Sequence, residues 1–234
     1  MFYQIIMKNK YIFLYGWLIF ILSFYSPSLL AAEDSVVKQK KEKITITKDL
    51  KYVDVSHNGK IVRIKRNQNI KNRLKNSYTK TSRNCPPFCV QPLIASDGVK
   101  TVGELELLYF IQDKLNQNEG LLIDGRLPSW NVKATIPGSI NLPFTVISNN
   151  LEATIAKRIL LVFGADKGED SVWDFSEAQE LLLFGNGAWG DQAIRAIRNL
   201  IDLGYPPEKI YWYRGGMQSW FQLGFTVVKT KKIR

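Results

Sequence analysis

Residues 180–203 read ELLLFGNGAWGDQAIRAIRNLIDL, an apolar run, then a glycine-punctuated loop, then a segment with apolar residues at Ile194, Ile197, Leu200 and Ile201. The short unbroken apolar run predicts a strand covered on both faces, and the later spacing predicts a helix over 191–203. Working outward, Ile210-Tyr-Trp-Tyr213 is a further strand, and Gly215-Gly216 opens a short helix that ends at Leu223. Toward the N-terminus, Leu151–Leu161 is a helix and Gly120-Leu-Leu-Ile-Asp124 a buried strand. Thr101-Val-Gly-Glu104 reads as a capping box opening an amphipathic helix to Leu115. Continuous apolar strands alternating with helices make an α/β fold, a doubly wound parallel sheet covered on both sides.

Such a sheet places a ligand site at the carboxyl ends of its strands. The element there is Gly185-Asn186-Gly187-Ala188-Trp189-Gly190. Its glycines let backbone N–H groups turn inward, and the helix that follows adds its dipole, so the loop is a candidate anion cradle. It has neither the Lys-Ser/Thr of a P-loop nor the G-x-G-x-x-G dinucleotide pattern, so no nucleotide and no cofactor is expected. Asp124 and Arg126 stand at the end of the first buried strand, where an ion pair would fix that end near the loop. Arg214 sits at the end of the last strand, either reaching an anion in the loop or pointing to water.

Composition narrows the chemistry. The chain has 234 residues, 45% hydrophobic and 12% aromatic, with one histidine, two cysteines and a formal charge of +11. That is globular rather than disordered or disulfide-dense. The single histidine, His57, leaves no His-rich metal site, and no metal is expected. Residues 33–100 hold 16 Lys or Arg against 6 Asp or Glu, whereas 101–234 are nearly neutral.

Four pieces in order resemble the rhodanese-like (sulfurtransferase) domain family. They are Leu122-Ile-Asp124-Gly-Arg126, Ile136-Pro-Gly-Ser-Ile-Asn-Leu-Pro143, the strand, loop and helix around 184–191, and Gly215-Gly-Met-Gln-Ser-Trp220. The resemblance covers residues 100–228 and implies a doubly wound domain around a parallel five-stranded sheet. In the family a cysteine opens the six-residue loop and carries sulfane sulfur as a persulfide. Here that position is Gly185, which has no nucleophilic atom, and neither Asn186, Trp189 nor Gln192 replaces a thiolate. The resemblance therefore implies a domain silent at its usual catalytic position. Trp189 is expected to wall the pocket, and Trp130, Trp173, Trp212 and Trp220 to supply core or interface mass.

The region before the domain, residues 33–99, is basic. Lys43-Ile-Thr-Ile-Thr47 alternates with period two, and Tyr52–Ser56 and Lys60–Lys65 flank Asn58-Gly59, the signature of a hairpin with a type I′ turn. Its outward face carries Lys43, Lys48, Lys51, Lys60, Arg63, Lys65 and Arg66, a solvated basic face or an anionic-surface patch. Asn67–Asn84 is polar and aperiodic, a mobile linker or an extended wrap. Cys85-Pro-Pro-Phe-Cys89 holds both cysteines, as a structural staple, a packed thiol pair or a redox-active pair.

Residues 1–32 read as a secretory signal peptide. Lys8 and Lys10 precede the apolar run Tyr11–Tyr25, Pro27 breaks it, and Ala31-Ala32 end it with leucine at the −3 position. The other reading is an uncleaved anchor, since no charge lies between Lys10 and Glu33. Either puts the remainder outside the cytoplasm, in the periplasm if the source is bacterial. The expected ligand is a small anion or sulfur compound, with an envelope protein or anionic surface as partner, helped by the basic tail 229–234. Nucleic acid is not expected for an exported chain. A second expectation keeps sulfur or redox chemistry but moves it to Cys85 and Cys89, carried over the strand ends by the preceding segment.

Overall fold

The computed structural model describes residues 43–147, 153–167 and 172–230. The expected signal segment, 1–32, and tail residues 231–234 lie outside the described residues. The strands and helices in chain order are β1 (Tyr52–His57), β2 (Lys60–Lys65), β3 (Lys100–Val102), α1 (Glu104–Asp113), β4 (Gly120–Asp124), α2 (Pro128–Asn131), β5 (Ile140–Asn141), α3 (Ala153–Val162), β6 (Asp166–Lys167), β7 (Trp173–Asp174), β8 (Glu180–Phe184), α4 (Gln192–Asp202), β9 (Ile210–Tyr213) and α5 (Gly216–Gln222). Among the described residues no helix is long and apolar enough to cross a membrane.

Five strands form one sheet in the order β3-β9-β8-β4-β5, and every pairing in it is parallel. The apolar run of β8 alternates across the sheet. Leu181 and Leu183 enter the core shared with Ile194, Ile197 and Leu200 of α4 and Ile159 and Leu160 of α3. Leu182 and Phe184 enter the core on the opposite face, with Leu107, Leu108 and Ile111 of α1 and Met217 and Trp220 of α5. Burial on both faces explains why β4, β8 and β9 contain almost no polar residue. Trp212 and Trp220 are core residues.

The hairpin forms as its turn demands. β1 and β2 pair antiparallel with His57 opposite Lys60, and Asn58 and Gly59 take φ of 51° and 73°. Val53, Val55 and Ile64 bury into the α1 face of the domain, and the bidentate Arg63–Asp54 pair lies on the exposed side. β2 continues into the chain's other end, where Arg66 bridges to Phe225 and Asn67 N–H donates to the Gly224 carbonyl at 2.7 Å.

Two local expectations are corrected. Residues 43–47 alternate but form no strand, because the N–H groups of Ile46 and Thr47 turn back onto the Leu50 carbonyl. The cap of α1 is not Thr101 with Glu104. Gly103 occupies the cap position and its N–H donates to the Glu106 carboxylate, while the Thr101 hydroxyl donates to the Leu93 carbonyl.

Candidate functional site

At the carboxyl end of β4, Asp124 and Arg126 form a buried pair, 0% and 1% exposed. Arg126 Nε donates to Asp124 Oδ1 at 2.8 Å and NH2 to Oδ2 at 2.6 Å. Asn131 Nδ2 and the Thr135 hydroxyl also donate to Oδ2, so the carboxylate is fully engaged. Arg126 NH2 further donates to the Ala134 carbonyl, and NH1 to the Tyr78 hydroxyl at 3.2 Å. Burial alone would push the guanidinium pKa down. The hydrogen bonds and charge of Asp124, with Tyr78 behind them, outweigh it and raise the value overall. The pair fixes the strand end, as expected from the sequence.

Asn186 is nearly as buried, at 1%. Its Oδ1 accepts from the Tyr78 hydroxyl at 2.8 Å and its Nδ2 donates to Gln192 Oε1 at 2.9 Å. Tyr78 therefore joins the end of β4 to the loop after β8. Burial raises its pKa against the opposing pull of Arg126, which keeps it a phenol that can donate to Asn186 at neutral pH.

The loop Gly185–Gly190 is held from α5. Gly185 and Asn186 carbonyls accept from the N–H groups of Met217 and Gln218, at 3.1 and 2.9 Å. Among the described residues no protein group accepts from the N–H groups of Asn186, Gly187, Ala188 or Trp189. Unpaired amides just before the start of α4 suit an anion. At Gly185, an added Cβ would meet nothing nearer than Ala193 N at 3.6 Å. The position is therefore open to a side chain, yet carries none.

The sequence left residues 67–84 open as a mobile linker or an extended wrap. Residues 67–95 run across this loop as an extended wrap rather than a mobile linker. Arg83 stacks 3.8 Å from the Trp189 ring centroid, Phe88 meets Trp189 edge-on at 5.6 Å, and Gln91 N–H donates to the Ala188 carbonyl at 2.8 Å. Gln218 Nε2 holds the Tyr78 carbonyl at 3.0 Å. The only signal for Tyr78 was its being the one aromatic residue in Asn67–Asn84. Arg214 neither faces a loop anion nor points to water. It donates to the carbonyls of Gln91 and Pro92, at 2.8 and 3.0 Å, and so ties the wrap to the end of β9.

Cys85 and Cys89 are joined by a disulfide, with Cα atoms 4.7 Å apart. Cys85 is exposed and Cys89 half-buried, and the ring they close rests on the loop through Phe88. No free cysteine and no cluster of His, Cys, Asp and Glu suited to a metal occurs among the described residues.

No match was found among curated proteins. Solved structures with a similar fold include a rhodanese-related protein of Thermoplasma volcanium, at 20% identity and TM-score 0.38, covering 56% of this chain and 99% of that one. The human single-domain sulfurtransferase is similar at 20% identity and TM-score 0.37, covering 53% and 96%. An As-Sb reductase from Leishmania major is similar at 16% identity and TM-score 0.39, covering 53% and 77%. The family model for the rhodanese-like domain matches residues 109–223. With its five parallel strands and its loop between β8 and α4, the chain carries a domain of the rhodanese-like family.

Proposed function

We propose that this is an exported rhodanese-like protein whose domain holds a small anionic or sulfur-containing ligand at residues 185–190 without transferring sulfur. One observation carries the reading. Residue 185 is a glycine with room for a side chain and no atom to form a persulfide, while the amides of Asn186, Gly187, Ala188 and Trp189 have no acceptor among the described residues. The wrap through Tyr78, Phe88 and Gln91 supports the same view, because it closes over the loop and favours small ligands or partner contact over turnover.

The test is sulfur transfer from thiosulfate to cyanide, run on the native chain and on Gly185→Cys. In the variant the new thiolate attacks the sulfane sulfur, the S–S bond of thiosulfate breaks, and sulfite leaves with the electron pair. Cyanide then takes the sulfur as thiocyanate and regenerates the thiolate. A silent native chain with an active variant supports the proposal. Native turnover that survives purification overturns it.

The exposed disulfide resting on the loop favours a second reading, thiol or sulfur chemistry at Cys85 and Cys89. An external dithiol would supply two electrons and two protons, opening the bond to two thiols and leaving as its own disulfide. Native turnover that is lost in Cys85→Ser/Cys89→Ser would select this reading.

Export enters through residues 1–32 acting as a signal peptide, and an envelope fraction in which the chain begins at Ala32 or Glu33 would support it. The basic residues of 33–100 and 229–234 would then hold the protein to an anionic surface or envelope partner. Binding to anionic vesicles that persists in moderate salt, where charges are screened over about 8 Å, supports that part.

A further inference from the structure

Beside the loop, on the ring side of Tyr78, lies an open cleft of about 520 Å³ between α2, α5 and the segment after β5's partner strand end, lined among others by Arg126, Trp130, Lys133, Phe221 and Lys229. We propose that it binds a small organic anion with a planar apolar body, an aromatic carboxylate or sulfonate being the simplest case. The site is distinct from residues 185–190 and does not depend on the function proposed for them.

Charge points to an anion. Every formally charged residue in the lining is a cation, and neither Asp nor Glu is among them. Arg126 is largely neutralised by Asp124, but it is locked in place and 1% exposed. Its hydrogen bonds account for four of its five N–H groups, and the one left over is on NH1, beside Tyr78. Lys133 and Lys229 are exposed, and among the described residues neither has a carboxylate within ion-pair distance.

The second feature is the flat apolar wall. Tyr78 packs on Phe221 with centroids 4.8 Å apart and meets Trp130 edge-on at 6.1 Å. Lys133 Nζ stands 5.8 Å from the Trp130 centroid, so ring and charge lie side by side. A planar ring against these faces with its acidic group toward the lysines would satisfy both.

The third feature is that Lys229, near the end of the chain, is held where the cleft needs it. Val228 exchanges two backbone hydrogen bonds with Thr135, at 2.9 and 3.1 Å, and the Thr230 hydroxyl donates to Asn131 Oδ1 at 2.7 Å. The backbone is thus pinned on both sides of the lysine.

Calorimetric titration of the full-length protein tests the site with three probes: 2-naphthalenesulfonate, 2-naphthalenemethanol as the ring without charge, and sulfate as the charge without ring. The sulfonate is expected to bind at one site and more tightly than either of the others. Lys133→Gln/Lys229→Gln, two exposed substitutions that leave the core untouched, should weaken it about tenfold. A loss of about threefold or more in that variant supports the proposal. A smaller loss, an alcohol that binds as tightly as the sulfonate, or no sulfonate binding by the native protein overturns it.

Discussion

Gly216 lies so close to Gly185 that a Cβ added to it would stand 2.5 Å from the Gly185 carbonyl oxygen and 2.7 Å from the Gly187 nitrogen. Its φ is +52°, in the left-handed region that side chains avoid. The double glycine after β9 is therefore what lets the start of α5 pack against the loop after β8. Gly216→Ala is expected to cost more than about 2 kcal/mol, because strain and clash act together. Urea denaturation would read this as a lower midpoint, and a midpoint within error of the native value would contradict the packing described.

Tyr78→Phe removes the donor to Asn186 Oδ1 and the acceptor for Arg126 NH1 while keeping the ring. Buried partners left unpaired should cost about 1–3 kcal/mol. The expected denaturation curve shifts its midpoint with an unchanged slope, because little surface exposure changes.

Arg126→Ala is expected to be more damaging, by about 3–5 kcal/mol, since it strands the Asp124 carboxylate without its cation. Arg126→Lys should rescue only part of this, because an ammonium cannot make the paired contact to both carboxylate oxygens. An Arg126→Lys variant as stable as the native chain, measured by thermal unfolding, would show that charge alone matters there.

His57 gives the stability a pH dependence of definite sign. Its Nδ1 accepts from the Gly138 N–H at 3.2 Å, its Nε2 is buried with no partner among the described residues, and burial lowers its pKa from the ordinary 6.5. The unfolded chain therefore binds the proton more readily than the folded one. The stability tied to the neutral ring is complete above the unfolded value and is lost as pH falls from there through the lowered folded value. Unfolding midpoints should fall across that window in the native chain, and His57→Asn should flatten the dependence.

Residues whose environment is written into neighbouring residues are legible in the sequence. β4, β8 and β9 are centred on their apolar runs, with charged residues only at the edges, Asp124 ending β4 and Glu180 opening β8, because both faces of each strand are buried. The Asn58-Gly59 turn and the Asp124–Arg126 pair follow the same logic. β3 and β5, at three and two residues, are too short to carry a period. Residues 43–47 carried the period but had no strand to pair with. Tyr78 and Arg214 were illegible for a different reason. Their partners lie 108 residues away at Asn186 and 123 residues away at Gln91, and no local pattern encodes such a meeting.

The junction of β2 with the chain's end sets an order on how the molecule can be made. Lys65 exchanges hydrogen bonds with Thr226 across 161 residues, and Arg66 and Asn67 pair with Phe225 and Gly224. The hairpin leaves the ribosome early, but its edge stays unpaired until residues 224–226 have been synthesised. Closing so long a loop comes late in folding and slows it. A nascent chain halted before residue 224 would thus present an open β-edge, and the arrival of residues 224–226 is what seals it.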